Sequence, residues 1–137
     1  RGSFVGLTMA HERGDMLRAG MEGVGFNLGI ILDTLRKNGC RIDSPIPVGG
    51  GARNPAFLDI LGDIFALPMK IPFDLEEATS MGAAITGGVG IGAFSFDDAA
   101  SFIKIRRETQ PNFENSRLYR ELMPRFDALY EALCPVF

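Results

Sequence analysis

Three consecutive glycines, Gly49, Gly50 and Gly51, constrain this chain more than any other stretch. They follow a short apolar run of Ile46, Pro47 and Val48. Ala52, Arg53, Asn54 and Pro55 come next, and a helical pattern opens at Phe57. Asn as the N-cap and Pro at the first helical position make a good helix start: Asn accepts a first-turn N–H, and Pro has none to leave unpaired. The run therefore predicts a strand, a glycine turn and a helix in immediate succession. Glycine adopts backbone angles that a Cβ forbids and lets a ligand lie against the main chain. The N–H groups of such a turn, and of the helix start after it, favour anionic or hydrogen-bonding ligands. Spacing alone leaves two readings open, a nucleotide or phosphate contact at the end of a strand, or a tight turn with no ligand. The run is not a P-loop, because no Gly-Lys-Ser or Gly-Lys-Thr follows. The later spacings of a G-x-G-x-x-G fingerprint are also missing.

The flanking chain reads as alternating helices and short strands. Residues 1–10 are extended or loop. A helix is predicted over residues 12–38, with Leu17, Met21, Val24, Leu28, Ile31 and Leu35 on one buried face and Asn38-Gly39 as its stop. Gly20, Gly23, Gly25 and Gly29 interrupt it at about 1 kcal/mol each relative to alanine. Close approach of a neighbouring element accounts for them more simply than a ligand does. Residues 46–48 form a strand that Pro47 restricts to an edge. A helix to about residue 66 follows, with Asp59 and Asp63 outside its apolar face, and then a strand over residues 67–72. Strand, helix and strand with tight links imply a parallel pair and a right-handed crossover, with ligands beyond the carboxyl ends of the strands.

Asp74 and Glu77 have the spacing of a capping box for a small-residue helix running to about residue 88. Glu76 and Glu77 diverge by about 100° on a helix, so they read as cap and dipole residues and not as an acid/base pair. Residues 87–92 read as a glycine-rich helix exit. Asp97 and Asp98 start a short helix near residues 96–100 and are not metal ligands. Residues 104–108 are irregular or extended. A last helix over residues 115–133 turns Leu118, Leu122, Phe126, Leu129, Tyr130 and Leu133 inward, and Pro124 kinks or interrupts it.

The 137 residues suit one domain. A net charge of −3 with mixed signs gives no basic face for nucleic acid. No apolar run approaches the roughly 20 residues of a membrane span, and no signal peptide is legible. Cys40 and Cys134 read as free thiols of a cytoplasmic protein. His11 is the only histidine, too little material for a zinc site or a Ser-His-Asp triad.

Four segments then fall in a telling order. They are Arg1-Gly2-Ser3-Phe4-Val5-Gly6-Leu7; Leu17-Arg18-Ala19-Gly20-Met21-Glu22-Gly23-Val24-Gly25-Phe26; Gly49-Gly50-Gly51-Ala52-Arg53-Asn54-Pro55; and Glu77-Ala78-Thr79-Ser80-Met81-Gly82-Ala83-Ala84. Together they resemble the carboxy-terminal domain of the FGGY carbohydrate kinases. The resemblance covers most of the chain, to about residue 134, and treats residues 1–137 as a piece of that domain.

It implies an α/β, helix-rich, actin-like and ribonuclease-H-like fold, incomplete at its amino-terminal end. It implies an ATP-dependent transfer of the γ-phosphoryl to a ketose hydroxyl, with D-xylulose favoured by overall likeness. Gly50, Gly51, Ala52, Arg53 and Asn54 become the candidates for contact with the adenosine side of ATP or ADP. Ala78 to Ala84 would lie on a connecting helix that serves domain closure. The sugar pocket, the general-base aspartate, the γ-phosphate contacts and most Mg²⁺ ligands are expected outside this chain, so Asp15, Asp33 and Asp74 are not promoted to base. The isolated chain is expected to be inactive, and a homodimer is left open. An Asn54 side chain that caps its helix would not be free for ribose or adenine. The rival reading is a nucleotide-sensing or structural module of the same fold, since fold alone does not fix function.

Overall fold

The structure, a computed structural model, describes residues 2–74 and 77–136. Arg1 of the first quoted segment and Glu76 of the suggested carboxylate pair lie outside the described residues. Among the described residues, five α-helices and two strands follow in order: α1 (Arg13–Lys37), α2 (Pro55–Phe65), β1 (Met69–Pro72), α3 (Ala78–Gly90), α4 (Phe96–Ala99), β2 (Ile105–Thr109) and α5 (Phe113–Leu133). A short 3₁₀ turn, Gly50–Arg53, leads into α2.

Helix α2 is the centre of the packing. Leu58, Ile60, Leu61 and Phe65 are buried on it. Leu61 and Phe65 join Leu32 of α1 and Met69 of β1 in one core cluster; Leu58 joins Ala52 and Ile71 in a second. The helix ends at Ala66 in the left-handed region, φ 52°, with Leu67 N–H donating back to the Gly62 carbonyl at 3.2 Å. The Ala66 N–H donates to the same carbonyl, so the closing turn gathers two donors on one helix acceptor.

Helix α1 buries a different stripe from the most apolar one. Gly25, Phe26, Gly29 and Leu32 are its buried residues, whereas Leu17, Val24, Leu28, Ile31 and Leu35 are exposed. The reason is steric. A Cβ on Gly25 would stand 2.5 Å from Ile64 Cδ1, and one on Gly29 would stand 2.9 Å from Met123 Cε. The two glycines let α2 and α5 approach the backbone of α1, as expected for them. Gly20 and Gly23 have no such neighbour. Phe26 then fills the space between Tyr119 and Phe126, at centroid distances of 5.7 and 5.2 Å.

The predicted parallel pair does not form. Among the described residues the one sheet is antiparallel, with β1 paired to β2 from Met69↔Thr109 to Pro72↔Ile105. Residues 46–48 run beside β1 but are held by a single bond, Lys70 N–H to the Pro45 carbonyl at 3.0 Å. In a parallel ladder the carbonyl of Lys70 would next receive the N–H two residues beyond Pro45. That residue is Pro47, which has none. Residues 104–108, read as irregular or extended, fall largely within β2, which pairs with the edge of β1 opposite to residues 46–48.

Other boundaries shift for local reasons. Helix α3 starts at Ala78, after Glu77, so Asp74 is not its cap; Glu77 Oε2 accepts from Ser80 Oγ at 3.2 Å. Asp98 is a helix-start residue, accepting from the Ser95 N–H at 2.9 Å and hydroxyl at 2.7 Å. Those two donors hold its carboxyl below the usual range. Helix α5 runs through Pro124 without interruption. Contacts on both sides of the proline, Met123 toward Gly29 and Phe126 on Phe26, hold it against α1. Of its predicted inward residues, Leu118, Leu129 and Tyr130 are exposed, and the buried residues of the helix are Ser116 and Tyr119.

Asp63, expected to face solvent, is buried at 7% exposure. Its two carboxylate oxygens accept from Asn112 N–H and Asn115 Nδ2, both at 2.7 Å. Asn112 in turn caps α5 through its side chain, which accepts from Glu114 and Asn115 N–H. Asp63 thus pins the start of α5 to α2.

Candidate functional site

The glycine run makes a sharp turn. Gly49 has φ 84°, a region that L side chains rarely adopt, so glycine is needed there. From Gly49 the chain tightens into the 3₁₀ turn, with Ala52 N–H donating to the Gly49 carbonyl at 3.1 Å and Asn54 N–H to Gly51 at 3.2 Å. Among the described residues, the N–H groups of Gly50 and Gly51 have no hydrogen-bond partner.

The five candidate residues therefore differ in what they offer. Gly50 and Gly51 present main-chain donors. Ala52 is buried in the core cluster with Leu58 and Ile71, so its side chain anchors the turn. Arg53 is exposed at the end of the turn. Asn54 caps α2, its Oδ1 accepting from Ala56 N–H at 3.1 Å and Phe57 N–H at 3.4 Å. That leaves only its Nδ2, which lies 3.7 Å from Met21 Sδ.

Two cavities flank the turn and share Gly51 and Phe57. One, of about 540 Å³, lies between the turn and the amino-terminal half of α1, lined by Leu17, Gly20, Met21, Val24, Gly50 and Asn54. The other, of about 310 Å³, lies between the carboxy-terminal half of α1 and residues 45–48. Both volumes fall in the range of small-molecule sites. The first joins the apolar face of α1 to the turn that carries the unpaired N–H groups, with no ionised side chain in its lining. The α1 wall was hidden in the sequence because its stripe of Leu17, Met21 and Val24 reads as core. Gly20 on that wall, read from the sequence as a point of close approach, has no packing contact that explains it.

A polar cluster behind this wall braces α1 against α5. Arg18 Nε donates to Glu22 Oε1 at 2.7 Å, Arg18 Nη2 to Tyr119 Oη at 3.1 Å, and Tyr119 Oη to Glu22 Oε1 at 2.8 Å. Burial, and then the Glu22 bond, push the Tyr119 phenol above its usual pKa near 10. A raised folded pKa means stability that is complete below pH 10 and lost as pH rises through the folded value. Tyr119→Phe is expected to cost about 1 kcal/mol at pH 7 and to flatten the alkaline loss. Urea midpoints from pH 7 to 11 test this; a loss as steep as that of the native protein would refute it.

The aspartates set aside as bases have structural partners or open surroundings. Asp15 accepts from Glu12 N–H at 2.8 Å, Asp33 lies 3.6 Å from Arg36, and Asp74 is exposed. Among the described residues no three His, Cys, Asp or Glu side chains gather into a metal site. No helix there is long and apolar enough to cross a membrane.

Comparisons with known proteins identify the family and the fold. The family model of the carboxy-terminal domain of the FGGY family of carbohydrate kinases matches residues 1–91. A xylulose kinase from Staphylococcus epidermidis is 35% identical over 133 residues, covering 96% of this chain and 27% of its own. A gluconokinase from Bacillus licheniformis is 36% identical over 137 residues, covering 96% and 26%. The crystal structure of a ligand-bound xylulose kinase from Lactobacillus acidophilus superposes with a TM-score of 0.86 at 26% identity, covering 98% of this chain and 27% of that one. The chain thus spans about a quarter of the length of these relatives.

Proposed function

Since the chain belongs to the FGGY family of carbohydrate kinases and has their actin-like, ribonuclease-H-like fold in helix-rich, carboxy-terminal form, we propose that the protein carrying it is an ATP-dependent sugar kinase. The observation that supports this most is the glycine turn itself, with the Gly50 and Gly51 N–H groups unpaired beside a cavity of about 540 Å³. In this reading the turn and the α1 face hold the adenosine side of ATP. Gly50 and Gly51 donate main-chain hydrogen bonds, Ala52 fixes the turn to the core, and Leu17, Met21 and Val24 shield the nucleoside from water. Arg53 flanks the site.

The reaction moves the γ-phosphoryl to a sugar hydroxyl, giving ADP and a sugar phosphate, with the hydroxyl proton passing to a base. Its catalysis is mostly positioning and charge stabilisation. The sugar, the base, the γ-phosphate contacts and the Mg²⁺ ligands are assigned to protein outside residues 1–137. The chain alone, lacking them, is proposed to be inactive. D-Xylulose is the proposed acceptor, resting on likeness to xylulose kinases; gluconate is a competitor, since a gluconokinase is about as similar. A cytoplasmic location fits a nucleotide-dependent enzyme.

The test is ADP release by the whole protein with ATP and Mg²⁺, across D-xylulose, D-ribulose, L-rhamnulose, gluconate and glycerol. Stimulation well above the water background by D-xylulose is the expected result. Stimulation by another sugar keeps the kinase and replaces the acceptor. No stimulation by any, with ATP still bound, would favour a nucleotide-sensing module.

A further inference from the structure

Helix α1 carries two kinds of glycine. Gly25 and Gly29 are bare because Ile64 and Met123 press on them. At Gly20 an added Cβ would meet nothing within 4 Å, so no packing within the described chain requires glycine there. Glycine inside a helix is intrinsically less stable than alanine, because more backbone entropy is lost on ordering it. The bare position lines the cavity of about 540 Å³, among Leu17, Met21 and Val24 and together with Gly50 and Gly51 of the turn. Gly14 and Gly23 are also uncrowded, but Gly14 sits in the first turn of α1 away from this cavity, and Gly23 lines a separate one beneath Gly2 and Ser3.

We propose that Gly20 is a specificity-determining residue of the nucleotide site: it sets the width of the slot between α1 and the glycine turn, and so admits the flat purine base of ATP or ADP. The inference rests on the nucleotide reading above and deepens it. An aromatic ring needs an apolar surface for its face and polar partners for its edge. Leu17, Met21 and Val24 supply the surface. Gly50 and Gly51 N–H supply donors, and Asn54 Nδ2 is a further one, since its contact at 3.7 Å is to a thioether sulfur, a weak acceptor that a ring nitrogen outcompetes. A side chain at position 20 would stand in the space between the two.

The substitutions Gly20→Ala and Gly20→Leu separate this role from a structural one, because they push folding and binding in opposite directions. Both residues are better helix formers than glycine, and at Gly20 even a Cβ has no neighbour to strike. The unfolding midpoint of the nucleotide-free protein is therefore expected to hold or rise. The dissociation constant for ATP, measured by calorimetric titration of the whole protein, is expected to rise in the order Ala then Leu, reaching about tenfold or more for Leu. An ATP affinity for Gly20→Leu within about threefold of the native value would overturn the slot and leave the nucleotide reading standing. A midpoint that falls with the affinity would also overturn it, since glycine would then serve the fold. Failure of the native protein to bind ATP would remove the nucleotide reading itself, and this inference with it.

Discussion

Replacing Asp63 with alanine is expected to cost about 3 kcal/mol of folding stability, because two charge-assisted hydrogen bonds of roughly 1.5–3 kcal/mol each are lost. The loss would be a large share of the roughly 5–15 kcal/mol that holds a domain together. The carboxylate is buried and accepts from Asn112 N–H and Asn115 Nδ2 at 2.7 Å each. Alanine leaves both donors without their protein partner at a part-buried site, and the unsatisfied donors carry most of the cost. The charge also sits at the start of α5, where the helix dipole favours an anion. Asp63→Asn keeps one acceptor and nearly the same volume, so its loss is expected to be smaller, about 1–2 kcal/mol. Urea unfolding followed by far-ultraviolet circular dichroism measures both. An Asp63→Ala loss below about 0.5 kcal/mol, the size of an ordinary surface substitution, would mean that α5 is held by its apolar contacts alone. A loss for Asn equal to that for Ala would mean that charge, and not the number of acceptors, sets the cost.

Asp63 also marks where sequence reasoning stops. On α2 the pair Asn54-Pro55 was legible, since capping depends on residues two or three apart, and both cap bonds are present. The partners of Asp63 lie about fifty positions further on, at Asn112 and Asn115, and no local pattern announces them. Helix α1 shows a second limit. Periodicity finds the most apolar stripe, Leu17 to Leu35, but contact with α2 and α5 goes to the stripe with the most room, Gly25 and Gly29. The apolar stripe is left to line cavities on both sides of the glycine turn. Residues 46–48 show a third. Their apolar character predicts a strand, yet Pro47 lacks the N–H that a second ladder bond requires, and one bond is what forms. The turn at Gly49, Gly50 and Gly51 was legible because glycine itself carries the signal. Which of its N–H groups would be consumed by the turn was not, since that depends on the 3₁₀ geometry.

Gly51→Val in the whole protein is expected to weaken ATP binding by about tenfold to a hundredfold, roughly 1.4–2.8 kcal/mol, while changing folding far less than it changes affinity. Gly51 borders both cavities and presents one of the two unpaired N–H groups. It is not in the left-handed region, so valine brings no backbone strain of the kind it would bring at Gly49. Its Cβ would stand 3.4 Å from Phe57 Cε1 and 3.6 Å from Cδ1, and a small shift of that ring accommodates it. The methyl groups, however, cover the main chain that a nucleotide would approach. Gly50→Ala is the control, since a Cβ there meets nothing within 4 Å and a single methyl hides less of the turn. The ordering of ATP affinities is therefore expected to be native, then Gly50→Ala, then Gly51→Val. An affinity for Gly51→Val equal to the native one would mean that the three glycines only turn the chain, and the adenosine site would have to lie elsewhere. A loss confined to Gly51→Val, with the unfolding midpoint held, would place the nucleotide against the backbone of the glycine turn.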